Sequence, residues 1–248
     1  MTNVSSRRYG FSASTLKILA ALLMLIDHVG LQFFPSEPIL RIIGRLSFPL
    51  FAYFIAEGCR YTKNRLRHFF LIFLLGAFCE SAYLLYTGEI EGNVLLTFSV
   101  SILLIYCLQL LKQCICQGKP TQILISLLLF ISAVIAAYPL CALLDLDYGF
   151  AGVILPLFAT IFDYKEGCAP SFLKRYDRLP YRLCSFFIGL LFLVYTKGFS
   201  SLQVWSLLSI LPLSCYNGKA GAKRLKYWFY LFYPLHLLLL ELIAVLIS

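Results

Sequence analysis

An all-α, polytopic bundle of about nine membrane spans, with its N-terminus in the cytoplasm, is predicted by three observations. First, 60% of the 248 residues are hydrophobic and only 13% are charged, and mean hydropathy is +0.84. Roughly a quarter of the residues in a soluble domain are charged. Second, apolar runs of spanning length recur along nearly the whole chain, leaving no stretch for a large soluble domain, so residues 1–248 are expected to form a single integral membrane domain. Third, the connections alternate between basic and non-basic. The net charge of +9 would suggest a nucleic-acid partner in a soluble protein. Here it is assigned to basic cytoplasmic loops, with the lipid bilayer as partner and no nucleic acid.

The N-terminal stretch MTNVSSRRYGFSASTLK resembles the basic leader of a signal peptide, and the first apolar run, residues 15–34, begins at its end. No small-x-small cleavage pattern follows it, and it contains Asp27 and His28, so it is read as a retained span. The remaining candidates are 39–58, 69–86, 93–111, 121–139, 148–163, 181–196, 201–216 and 227–247. The sixth and seventh are short, so that one of them could be re-entrant. Pro49, Pro156, Pro212 and Pro234 fall inside spans and predict kinks with freed carbonyls.

Arg7 and Arg8, then Arg60, Lys63, Arg65 and Arg67, then Lys112 and Lys119, fall on one side. Lys165, Lys174, Arg175, Arg178 and Arg182 continue that side, as do Lys219, Lys223, Arg224 and Lys226. The other side carries FFPSEP, TGEIEGN, LLDLDYG and a lone Lys197. The positive-inside rule therefore puts the N-terminus in the cytoplasm and, with nine spans, the C-terminus outside. Of the nine cysteines, Cys59, Cys114, Cys116 and Cys168 lie in or beside cytoplasmic connections, and only Cys141 approaches the outer face. No disulfide framework is expected. Cys114-x-Cys116 has no second pair and no His at ligand spacing, so no metal site is expected either.

Ionisable groups inside the bilayer mark functional candidates. His28 lies eleven residues after Lys17, which puts the two on one helix face ~16 Å apart. His236 lies ten residues beyond Lys226 on the last span, ~15 Å into the membrane and level with Asp27 and His28. Arg41 and Arg45 share a face of the second span at i, i+4 spacing. Glu80 falls near mid-depth in the third span and Glu57 near the cytoplasmic end of the second. Each also has a plainer explanation. Asp27 or Glu80 can pair with Arg45 simply to hold helices together, His28 can bond a neighbouring helix, and Arg41 can snorkel to the outer interface. Asp27 is ~100° around the helix from His28 and so is better placed to serve a residue on another span.

The blocks LKILAALLMLIDHVG, LRIIGRLSFPLFAYFIAEGCRYTKN and KYWFYLFYPLHLLLLELI, in that order at the two ends of the chain, resemble the TraX family of integral membrane proteins. That family is named for the protein that acetylates the N-terminus of conjugative pilin. It is similar in turn to the transmembrane acyltransferase superfamily, whose first helix carries Arg or Lys, ten residues, then His. Lys17 and His28 match that spacing, with Lys in place of the more usual Arg.

The resemblance implies an acetyl-CoA-dependent acyltransferase of the inner membrane, with no metal. Lys17, Arg60, Lys63 and Arg65 would then meet the donor's phosphates, and the pantetheine arm would thread toward His28. His28 would act as general base or as a transient acetyl carrier, and Asp27, His236 and Arg45 would support the chemistry. Arg41, Glu80 and Tyr233 are candidates for holding the acceptor. The acceptor implied is the terminal amine of a pilin-like or other small membrane peptide, with a cell-surface glycan hydroxyl as the alternative. From another class, a non-enzymatic transporter would also bury charges near kinked helices. It would leave the shared face of Lys17 and His28 without a reason, and it would normally show internal repeats, which this sequence does not.

Overall fold

The computed structural model describes residues 10–164, 171–222 and 225–247. Arg7, Arg8, Lys165, Cys168, Lys223 and Arg224, and the side chain of Lys226, lie outside the described residues. The helices are α1 (Ala13–Phe33), α2 (Pro38–Gly44), α3 (Ser47–Tyr61), α4 (Arg65–Thr87), α5 (Val94–Gln117), α6 (Pro120–Leu143) and α7 (Gly149–Thr160). After them come α8 (Ser171–Lys174), α9 (Leu179–Lys197), a 3-10 helix (Leu202–Ser209), α10 (Ile210–Ser214) and α11 (Leu225–Ile247). The described residues hold no strand beyond one isolated parallel bridge between Phe11 and Tyr216.

Among the described residues, seven stretches are long and apolar enough to cross a membrane: Ala13–Phe33, Pro38–Tyr61, Arg65–Thr87, Val94–Gln117, Pro120–Leu143, Leu179–Lys197 and Trp228–Ile247. The shorter apolar helices Gly149–Thr160 and Leu202–Ser214 bring the apolar passages among the described residues to nine, in the predicted places. The protein is therefore an all-α, multi-pass membrane protein. One detail differs from expectation: the seventh passage, α9, is a full 19-residue helix. The sixth, α7, is short as expected, with 12 residues, or ~18 Å of helix against ~30 Å of hydrocarbon.

Local sequence sets the ends of the elements. Asn93 accepts hydrogen bonds from the Leu95 and Leu96 amides at the start of α5, and Gly118 closes its end at φ 71°, a left-handed turn that glycine tolerates. Pro49 has no N–H to offer the Arg45 carbonyl, and the second passage breaks at Arg45–Leu46 between α2 and α3.

Two compact units result, one formed by Met1–Phe54 with Leu190–Ser248 and the other by Ile55–Gly189. In the first, α1 packs on α2 and α11, and the 3-10 helix packs on α2 and α10. In the second, α5 packs against α4, α6 and α7. Half of the apolar stretch of α5 is buried against 11% in α4 and α6, so the two flanking helices turn most of their apolar surface to lipid.

Candidate functional site

The mouth of α1 is held by the segment after α10. Ser12 caps the helix by accepting from the Thr15 amide at 3.2 Å. Two further amides that the helix leaves free, those of Ala13 and Ser14, donate to the carbonyls of Lys219 at 2.8 Å and Ala220 at 3.2 Å. Gly10 permits the close approach, because a Cβ there would lie 2.4 Å from the Cys215 carbonyl oxygen. Lys17 follows one turn later. Its Nζ stands 5.6 Å from the Phe54 ring centre and 6.0 Å from that of Phe229, within reach of cation–π attraction to both.

Farther along α1, the His28 ring meets His236 of α11 edge to face, with centroids 5.0 Å apart and planes at 75°. The equal depth read from the sequence thus corresponds to contact. Each ring is anchored by its own helix. His28 Nδ1 donates to the Met24 carbonyl at 2.8 Å and His236 Nδ1 to the Phe232 carbonyl at 2.9 Å. A carbonyl can only accept, so Nδ1 carries the proton and the lone pair of each neutral ring sits on Nε2. His236 is 3% exposed, and its buried Nε2 has no hydrogen-bond partner among the described residues. Phe232 stacks on His236 at 4.9 Å, and Tyr233, also buried, meets it edge-on at 5.7 Å.

Asp27 faces α2. Arg45 Nη2 donates to both of its carboxylate oxygens, at 3.1 and 3.0 Å, and Arg41 Nε lies 3.7 Å away. All three side chains are mostly buried. The arrangement depends on small residues at the α1–α2 crossing. A Cβ on Gly44 would fall 2.3 Å from that of Asp27, and one on Gly30 would fall 2.7 Å from that of Leu40. Asp27 thus serves a second helix rather than its neighbour His28, as the helical angle required. Arg45 Nε remains buried and without a hydrogen-bond partner among the described residues.

The other candidates belong to the second unit. Arg60 presents its guanidinium fork to Asp177, at 2.7 and 2.8 Å, with Asp163 at 3.4 Å. Its bidentate face is therefore already occupied by a carboxylate. Glu57 pairs with Arg182, both buried. Lys112 Nζ donates to the carbonyls of Thr160, Ile161 and Asp163, putting a cation where α7 ends. Glu80 accepts from the Glu91 amide at 3.0 Å and from Asn93 Nδ2 at 3.1 Å, fastening the connection between α4 and α5. Lys63 is exposed between α3 and α4, and Arg65 lies over the Tyr106 ring at 5.4 Å.

Sequence reasoning missed the carboxylates that hold Arg60. It also missed a buried polar row in the 3-10 helix, Gln203, Ser206 and Ser209. The three-residue spacing of that row was visible, but it points to one helix face only if a 3-10 helix is assumed.

A family model described as "TraX protein" matches residues 12–244. The "Probable fimbrial assembly protein FimC, serogroup H1" of Dichelobacter nodosus is 28% identical over 95% of this chain and 96% of its own length. The "Uncharacterized protein RP591" of Rickettsia prowazekii (strain Madrid E) is 44% identical over 52 residues, 21% of each chain. No solved structure matches significantly.

Proposed function

The chain belongs to the TraX family, and from that premise and the His28–His236 pair we propose that it moves an acetyl group from cytoplasmic acetyl-CoA to the N-terminal amine of a pilin-like membrane peptide. The observation that carries this reading is a His pair inside the membrane whose Nδ1 atoms are both tied to backbone carbonyls, leaving Nε2 as the basic atom. A relative named for fimbrial assembly favours a peptide acceptor over a glycan hydroxyl.

In this reading Lys17 receives the donor's phosphates at the cytoplasmic mouth, and the thin pantetheine arm enters along the Lys17–His28 face. The acceptor's neutral amine attacks the thioester carbonyl, and His28 Nε2 takes the amine proton. The oxyanion that forms is met by cationic donors, and Arg45 supplies the Nε–H that Asp27 leaves unused. Collapse of the intermediate breaks the C–S bond. The proton on His28 then passes to the departing thiolate, so that the amide and free CoA thiol are the products. His236, locked by Phe232 and Tyr233, fixes the His28 ring edge-on.

The test is incubation of the purified protein with radiolabelled acetyl-CoA and a membrane extract, followed by identification of the labelled product. Label in a peptide α-amine supports the proposal. Label in a glycan would replace the acceptor and keep the chemistry, and absence of any transfer would overturn both.

A further inference from the structure

Serine hydroxyls inside helices normally bond a carbonyl of their own helix. Ser81, Ser99, Ser101, Ser126, Ser132 and Ser214 all do so here. Ser206 and Ser209 do not. Both are 0% exposed, and Gln203 before them is 5% exposed. Ser206 Oγ, Ser209 Oγ and Gln203 Nε2 are buried without hydrogen-bond partners among the described residues. Leaving buried polar groups unpaired is destabilising, by ~1–3 kcal/mol each, so three in a row point to a ligand that satisfies them.

Their geometry indicates what kind of ligand. A 3-10 helix has three residues per turn, so residues 203, 206 and 209 stack along one line at ~6 Å intervals. An extended polypeptide offers an N–H and a C=O to the same edge at every second residue, a repeat of ~6.6 Å. A hydroxyl can accept from the amide or donate to the carbonyl, and the Gln203 amide nitrogen donates. The location agrees. The 3-10 helix descends from the outer connection at residues 198–201 and packs on α2, which packs on α1. His28 lies five residues before the outer end of α1, or ~8 Å in, and the row spans ~12 Å from that side. A non-helical segment entering the bilayer must have its backbone groups satisfied by protein.

We propose that Gln203, Ser206 and Ser209 form the acceptor subsite, a hydrogen-bond ladder that holds the extended N-terminal segment of a peptide entering from the outer half of the membrane. This rests on the reading of the protein as a peptide acetyltransferase.

The test measures binding, separately from transfer. C-terminally fluorescent alanine–glycine peptides of two and six residues, each with a free amine, are titrated with detergent-purified protein and followed by anisotropy. The hexapeptide should bind wild type more tightly than the dipeptide. Ser206→Ala, Ser209→Ala and Gln203→Leu should each weaken the hexapeptide about three- to tenfold and leave the dipeptide unchanged. Without peptide, the two serine variants should melt no lower than wild type, because each removes a hydroxyl that has no partner among the described residues. A structural role for these hydroxyls would instead lower the melting temperature. Equal binding of the two peptides by wild type, unchanged hexapeptide binding in all three variants, or reduced melting of both serine variants would overturn the ladder. A wild-type protein that binds as expected but transfers no acetyl group would overturn the acetyltransferase reading and leave the ladder standing.

Discussion

His28 and Asp27 are neighbours in sequence, and each looks outward from α1 to a different partner, one to the imidazole of His236 and the other to the guanidinium groups of Arg41 in α2 and Arg45 just after it. That division was legible from the ~100° helical step. Contact between the two His rings was legible only as a shared depth, because one sequence does not reveal which helices touch. The same limit explains Arg60. Its position beside the cytoplasmic face was evident, but its partner Asp177 lies 117 residues away, and no local pattern links the two. Removing one member of a mostly buried ion pair leaves the other uncompensated, at a cost of about 3 kcal/mol. Asp27→Asn should therefore lower the thermal midpoint in detergent clearly. The double variant Asp27→Asn with Arg45→Met should lose less than the two single losses added together, which a double-mutant cycle would measure.

At the level of elements, the site exists because two helices approach more closely than ordinary side chains allow. Gly44 lies against Asp27 with no room for a Cβ, which sets the position of Arg45 one residue later. Gly44→Ala should push α2 away from α1, destabilise the protein by about 1–3 kcal/mol and reduce acetyl transfer more than a substitution at exposed Lys63 does. Equal activity in Gly44→Ala and wild type would show that the Asp27–Arg45 placement is irrelevant to function. The elements themselves were largely readable, since spanning-length apolar runs and a proline two to four residues past a break have direct physical consequences. The 3-10 helix was not. Its residues, LQVWSLLS, are as apolar as an α-helical stretch would be, and the i, i+3 hydrogen bonding that aligns Gln203, Ser206 and Ser209 leaves no separate mark in composition.

For the whole molecule, charge and hydropathy determine the path of the chain through the bilayer. Nine apolar passages among the described residues, with basic residues gathered on one side, predict the connections 62–64, 118–119 and 215–222 to be cytoplasmic and 34–37, 88–93, 144–148 and 198–201 to be outside. Alkaline phosphatase fused after residues 36, 90 or 146 should be active and fused after 64 or 118 inactive. The reverse pattern would invert the donor and acceptor sides. On the proposed acetyltransferase reading, this topology would bring a donor from inside and an acceptor from outside to the half-buried His28.

The most direct measurement is acetyl transfer from radiolabelled acetyl-CoA by purified wild type and His28→Ala, with and without added imidazole. Loss of the general base should lower the rate about 10²- to 10⁴-fold, with imidazole restoring part of it. Undiminished transfer by His28→Ala would contradict the assignment of His28 as the base.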